Sequence, residues 1–556
     1  MTDEIGYLAH AALLAGYPID GASSYHAGYS LLMAPLFSLS PEPVTTWRAV
    51  IVLNAVMWGG SSVLLLRVVV RLFPTSSLFR RSAAVVIAML YPTWLAMCGY
   101  AFATAAVVLV FLGAVLAALY VDLRKAWTVL PYSLVVGFSY WVHPTGLAVV
   151  VASTIALGVL CRGRRLLGPL ALHIGVLFLL ILAYREGVHQ WLLEVGTAPG
   201  FPTQEHYPSY AQMLSNVTRG RFWLETLAGA LGQMACLTVS SLGLVVVGFV
   251  EAARHARGDI SCGASGMTER WDARGFMCLF VVLALLAVIL LGSAAFSAGG
   301  RTRIDHWIYA RYAEGVLLPL LAIGCLGGFR RRLPLVTAAV LILIGVLLVT
   351  VADPGASNKV INTISFWPQY LVPAGNYLIW MVIGGIGVFL FLMAAGQGPV
   401  GKSGAVALLI CMSVLSTLNA IDSHDELFRS YSQPTGLLHV VRTNFERGSC
   451  VAFNPDLPEN AGLFHQHRFN LYLFYLYDYE YQRMRMADWL EDCDGPLLTY
   501  TIDGLSDVPG VVLLGQEVRS GLYLMAKETD REYSIPRESP SERTFYSAED
   551  WALGRD

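Results

Sequence analysis

GFMCLFVVLALLAVILLGSAAFS, residues 275–297, carries no charged side chain from end to end, and Arg274 stands immediately before it. A hydrocarbon core about 30 Å thick needs about 20 such residues in one helix. Only a bilayer takes a segment of this kind without polar cover, because every backbone group is then satisfied inside the helix itself. The stretch therefore reads as a membrane span.

Comparable runs fill most of the chain. Helices are expected at 46–72, 80–97, 100–122, 127–141, 144–161, 166–184, 227–251, 275–297, 312–328, 332–352, 376–396 and 403–421, about twelve in all. The composition agrees: of 556 residues, 56% are hydrophobic and 14% charged. Soluble domains carry roughly 25% charged residues, and one this poor in charge could not cover its own surface. The expected fold class is mainly α, a polytopic transmembrane helical bundle with a small extracytoplasmic α/β domain at the C-terminus. The net charge of -2 identifies no partner. The Arg residues form short loop clusters rather than a basic face interleaved with aromatics, so nucleic acid is excluded as a partner.

Loop charges set the orientation. One set of alternate loops holds Arg67, Arg71, Arg80, Arg81, Arg124, Lys125, Arg162, Arg164, Arg165, Arg254, Arg257, Arg270, Arg274, Arg330, Arg331, Arg332 and Lys402, whereas the first 47 residues contain no Lys or Arg. The Arg-rich side is read as cytoplasmic. Segments 1–45, 185–226, 298–311, 353–375 and the tail after 421 are then outside. An even number of helices puts the N-terminus outside with no apolar segment to carry it there. Either a short tail crosses alone or one helix precedes Met1, and the second is the expectation. The loop 252–275 reads as a flexible connector.

Three domains are expected: a transmembrane module over 1–421, an α/β domain over 422–530 and a disordered tail over 531–556. In the α/β domain, strands are read at 449–453, 496–501, 510–516 and 521–526, with a helix at 482–492. Seven of the nine cysteines lie in helices or a short loop and read as small packing residues. Cys450 and Cys493 each sit beside an apolar strand of the outside domain. If those strands are neighbours, a disulfide is expected in that oxidising compartment.

The chain lacks a phosphate-binding loop, a His-Glu-x-x-His and a Gly-x-Ser-x-Gly elbow. No cofactor or metal is called for. Three other segments carry candidate chemistry. In MTDEIGYLAHAALLAG, residues 1–16, the pair Asp3 and Glu4 opens a stretch expected to lie as an amphipathic helix on the outer surface. The alternative is a capping Asp beside a solvated Glu. SSYHAGYSLLMAPLF, residues 23–37, follows with Tyr25 and His26. In RTRIDHWIYARYAEGVLLPLLAIG, residues 301–324, Arg311 and Tyr312 stand at headgroup level on the charge-poor side. A planar guanidinium suits a lipid phosphate, although Arg also snorkels and Tyr also anchors. In SYWVHPTGLAVV, residues 139–150, Pro144 breaks a helix and holds His143 at the hinge as a structural or chemical hydrogen-bonding group.

Taken in order, these segments resemble the GT-C superfamily of polytopic glycosyltransferases that use polyprenyl-phosphate sugars, among them the protein O-mannosyltransferases and the lipid A aminoarabinose transferase. The matching residues are Asp3-Glu4, then Gly28-Tyr29-Ser30-Leu31-Leu32 closing with Pro35-Leu36, then His143-Pro144-Thr145-Gly146 and Arg311-Tyr312. The resemblance covers about residues 1–420 and has one departure. Where many relatives carry an acid, this chain has Gly99-Tyr100-Ala101-Phe102-Ala103-Thr104, which leaves the sugar and the acceptor open.

The resemblance implies an inverting glycosyltransferase of the multi-pass cell membrane. It would move a mannose- or arabinose-type sugar from a polyprenyl-phosphate donor to a hydroxyl of an extracytoplasmic glycan, lipid or protein. Asp3 and Glu4 would be the catalytic carboxylates. Arg311, Tyr312, His143, Tyr25 and His26 would bind the donor's phosphate and sugar. The rival, a transporter or lipid flippase without bond chemistry, calls for ionisable residues at midplane depth along a path. A purely structural scaffold would leave the outer clusters unexplained.

Overall fold

The computed structural model describes residues 2–40, 42–164, 167–197, 213, 215–264, 273–298, 311–327, 332–351, 365–371, 377–397, 399–431, 436–456, 463–502, 505, 508–517, 522–528 and 533. The chain is a mainly helical membrane protein with a small sheet near its C-terminus. It forms two compact units: residues 1–53, 185–206 and 425–556 make the first, and residues 54–184 and 207–424 the second.

In the first unit, α1 (Thr2–Leu14) and α2 (Gly28–Leu39) pack together, and α1 also lies against the helix Leu463–Tyr475. The expected surface position of α1 is therefore corrected. Every residue from Glu4 to Leu13 is buried. The segment is apolar on both faces, so both can be covered. Its following loop is stitched down by Asp20 N–H donating to the Tyr481 carbonyl at 3.0 Å and Ala22 N–H to the Gly196 carbonyl at 2.7 Å. Arg483 also grips the Asp20 carboxylate from both Nε and Nη2. The helix α3 (Pro43–Leu72) starts where Glu42 accepts the Val44 N–H at 3.1 Å, supplying a partner for an orphan donor of its first turn.

The sheet runs β2 (Glu480–Arg483), β1 (Cys450–Phe453), β3 (Leu497–Thr499), β5 (Leu522–Lys527), β4 (Val511–Glu517). β1 is parallel to β2 and β3, and the two remaining pairs are antiparallel. The helix expected at 482–492 begins only at Met486. Gln482 and Arg483 belong instead to β2, because the edge of β1 offers Ala452 and Phe453 as partners. Trp489 is enclosed with Ala452, Cys493, Leu497, Leu505 and Met525. Cys450 and Cys493 are joined in a disulfide with Cα atoms 5.6 Å apart. A Cβ on Gly495 would fall 1.7 Å from the Cys450 carbonyl oxygen, so the chain entering β3 passes where only glycine fits. Apart from Tyr533, the tail 531–556 lies outside the described residues.

Among the described residues, six helices are long and apolar enough to cross a membrane: Pro43–Leu72, Leu167–Val195, Gly220–Ser240, Ala273–Ala298, Arg332–Val351 and Tyr377–Gly396. Several of the twelve expected spans are shorter or broken. The 80–97 span divides ahead of Pro92 into Leu78–Met89 and Pro92–Met97. The 227–251 span is two helices, Gly220–Ser240 and Leu244–Ala264, parted where Leu242 (φ 49°) and Gly243 (φ 82°) turn left-handed. The second of these continues to Ala264, so the expected connector 252–275 is helical over residues 252–264, and the next helix starts within it at Ala273. The 312–328 span is interrupted after Glu314 and resumes as Leu318–Leu326. At the other end, the helix Pro399–Tyr431 runs through the domain boundary expected at 421.

The second unit packs by close backbone approach. A Cβ on Gly248 would lie 1.9 Å from the Leu320 carbonyl oxygen, and one on Gly324 would lie 2.4 Å from that of Leu244. Paired small residues of this kind let membrane helices touch backbone to backbone. They lock Leu318–Leu326 against Leu244–Ala264.

Candidate functional site

The first unit holds four of the candidates. Thr2 to Leu14 is helical at Asp3 as well, but the Asp3 side chain lies outside the described residues. Glu4 is 3% exposed in the first turn of α1, where the helix dipole favours a negative charge. Burial, with the charges of Glu4 and Glu42 adding to it, pushes the Tyr475 hydroxyl up from its ordinary range. Tyr25 and His26 are both buried. The Tyr25 ring lies on α1 where Gly6 leaves room, since a Cβ there would be 2.0 Å from Tyr25 Cδ2. Tyr7 meets Tyr25 at 4.8 Å and Tyr29 edge-on at 5.6 Å between ring centroids. His10 Nε2 accepts the Ser23 N–H at 3.1 Å, holding the Ser23–Tyr25 turn beside the helix.

The second unit brings together two residues far apart in the chain. His143 caps the helix Val129–Val142 in an extended conformation. Its Nδ1 accepts the Thr145 N–H at 3.2 Å and lies 2.9 Å from Thr145 Oγ1. An acceptor at Nδ1 places the proton of the neutral ring on Nε2, making that atom a donor. The motif is tight for a reason: a Cβ on Gly146 would lie 2.2 Å from the Ser139 carbonyl oxygen. Tyr312 is half-buried, its ring centroid 5.5 Å from His143 and 5.9 Å from Phe296. The Arg311 side chain lies outside the described residues, although its backbone opens the one-turn helix Arg311–Glu314.

The sequence sets Glu314 beside Arg311 and Tyr312 but gives it no role in holding that turn. Glu314 is 2% exposed, and its Oε1 accepts from Tyr91 Oη at 3.0 Å and from Ser365 Oγ at 2.5 Å. The signal was faint, a single acid at the start of an apolar run. A second buried group, His173, is engaged at both ring nitrogens, by Ser133 at 2.7 Å and Ser153 at 3.1 Å, and stacks with Tyr132. It ties three helices together. Among the described residues, no three His, Cys, Asp or Glu side chains are grouped to hold a metal ion.

Two solved structures are similar to this chain. Both are of ArnT from Cupriavidus metallidurans, and both are 12% identical to it over 95% of its length. The form bound to undecaprenyl phosphate gives a TM-score of 0.48 over 94% of ArnT, and the apo form 0.49 over 93%. No family model and no curated protein matches the chain. Identity this low leaves the chain's own residues to carry its chemistry.

Proposed function

We propose that the chain is an inverting glycosyltransferase that moves a mannose- or arabinose-type sugar from a polyprenyl phosphate to an acceptor hydroxyl on the extracytoplasmic side. The observation that carries this reading is the His143–Tyr312 pair, centroids 5.5 Å apart, one residue from Arg311. An Nε2–H donor, a phenol and a guanidinium are the groups that a departing phosphate needs. Fixed donors aimed where charge develops are worth more than the same donors in water.

The reaction is a single displacement. The acceptor oxygen attacks the anomeric carbon and gives its proton to a carboxylate, Asp3 or Glu4. The bond between that carbon and the phosphate oxygen breaks, and its electron pair leaves with the phosphate. A phosphate leaving group needs no separate acid. Tyr25, which lies against Gly6 of α1, and His26, in the same unit as the carboxylates, are the candidate sugar contacts.

The flippase reading needs titratable groups open to a path. His173 is instead closed on both nitrogens by serines of neighbouring helices, which disfavours it.

The test is incubation of the purified protein with a panel of radiolabelled polyprenyl-phosphate sugars and candidate acceptors. Transfer of label from one donor, with release of polyprenyl phosphate, is expected. Failure to consume any mannose- or arabinose-type donor would remove the proposal.

A further inference from the structure

Arg311–Glu314 is a single helical turn, and a single turn does not hold itself, because its ordering is repaid by only one hydrogen bond. Something else must fix it. Tyr312 is gripped from one side by His143 and Phe296. From the other end the turn is held by Glu314, whose chain neighbours Ala313, Val316, Leu317 and Leu318 are all buried.

The partners of Glu314 come from interruptions elsewhere in the same unit. Tyr91 stands in the break between Leu78–Met89 and Pro92–Met97. Ser365 precedes the short 3₁₀ turn Trp367–Tyr370 and reaches on to Ser240 Oγ at 3.3 Å. Ser240 ends the helix Gly220–Ser240, and the Trp367 indole closes the arrangement by donating to the Val239 carbonyl at 3.0 Å. Three broken stretches of chain thus meet at one carboxylate. A hydrogen bond inside the protein is electrostatically stronger than one in water, and burial sharpens the cost of losing it.

We propose that Glu314 is a positioning residue: through Tyr91 and Ser365 it sets the depth and rotation of the Arg311–Glu314 turn, so that Tyr312 meets the donor phosphate. The inference rests on the donor reading above. It adds a residue that touches no substrate yet decides how tightly the lipid phosphate is held.

The experiment uses the full-length protein in detergent with two readouts. One is affinity for undecaprenyl phosphate, followed by tryptophan fluorescence. The other is amide hydrogen exchange across residues 311–317. Glu314→Ala is expected to weaken lipid binding by about tenfold or more and to speed exchange in that segment. Glu314→Gln keeps an Oε1 that accepts from both hydroxyls, so it should stay within about threefold of the native protein. If Glu314→Ala does not fold, the pair Tyr91→Phe and Ser365→Ala removes the same two hydrogen bonds and should give the same two changes. Unchanged exchange in 311–317 overturns the proposal, and so does faster exchange with undiminished affinity. If the native protein binds no undecaprenyl phosphate, the donor reading falls, while the exchange result still decides whether Glu314 pins the turn.

Discussion

At the scale of single residues, the two ends of the reaction should separate by substitution. Asp3→Asn removes a proton acceptor and nothing else, so transfer is expected to fall by about 10²–10⁴-fold with donor binding intact. Arg311→Ala removes charge from the proposed phosphate site and should weaken donor binding together with turnover. Donor titration and single-turnover transfer on both variants distinguish the two patterns. Near-native transfer by Asp3→Asn would pass the role of base to Glu4, which the fold buries at 3% exposure in the first turn of α1. A His-Pro break and an Arg on a charge-poor side are local anomalies that single out His143, Arg311 and Tyr312 in the sequence, and the fold brings the His143 and Tyr312 rings within 5.5 Å. Glu314 stands in the same segment, but its role was not legible. Its importance lies in Tyr91 and Ser365, partners that no spacing rule connects to it.

At the scale of elements, apolar periodicity located most helices but not their breaks. A hydropathy window sees Leu242-Gly243 as two more residues of an apolar run. The backbone there turns left-handed, which window averages do not register. The strands near 450, 497, 511 and 522 were visible as short apolar runs. β2 was hidden, because Glu-Tyr-Gln-Arg is polar and pairs only where β1 presents an edge. That region of the chain makes a prediction of its own. Tyr475, Tyr477, Tyr479 and Tyr481 are all buried, and burial is the main cause that raises each hydroxyl above its ordinary value near 10. A group whose folded value lies above its unfolded one contributes stability that is complete below the unfolded value and is lost as pH rises toward the folded one. The unit should therefore hold its stability up to about pH 10 and lose it steeply above. Phenolate absorbance and circular dichroism, followed together on raising the pH, should show these tyrosines ionising only as the unit unfolds. Full ionisation of every tyrosine with the fold intact would contradict the burial.

At the scale of the whole molecule, low charge and long apolar runs are enough to place the chain in a membrane. The partition into two units was not foreseen. It joins residues 1–53 and 185–206 to residues 425–556, a grouping that depends on long-range hydrogen bonds such as Asp20 to Tyr481 and Ala22 to Gly196. The proposed orientation follows from the placement of Lys and Arg in alternate loops. Lys and Arg close to span ends are retained in the cytoplasm, and acids count for little. The disulfide argues in the same direction, because such bonds persist in oxidising compartments. It closes a separation of 43 residues, for which chain entropy gives roughly 4 kcal/mol at most. Single cysteines at Ser76 and Lys125, one at a time, should be protected from a membrane-impermeant maleimide added to intact cells. Cysteines at Asn216 and Glu446 should react. Permeabilised cells supply the control that each site is reachable at all. The opposite pattern would put the sheet and the carboxylates of α1 in the cytoplasm, where a structural disulfide is not maintained, and would overturn the extracytoplasmic reaction along with the orientation.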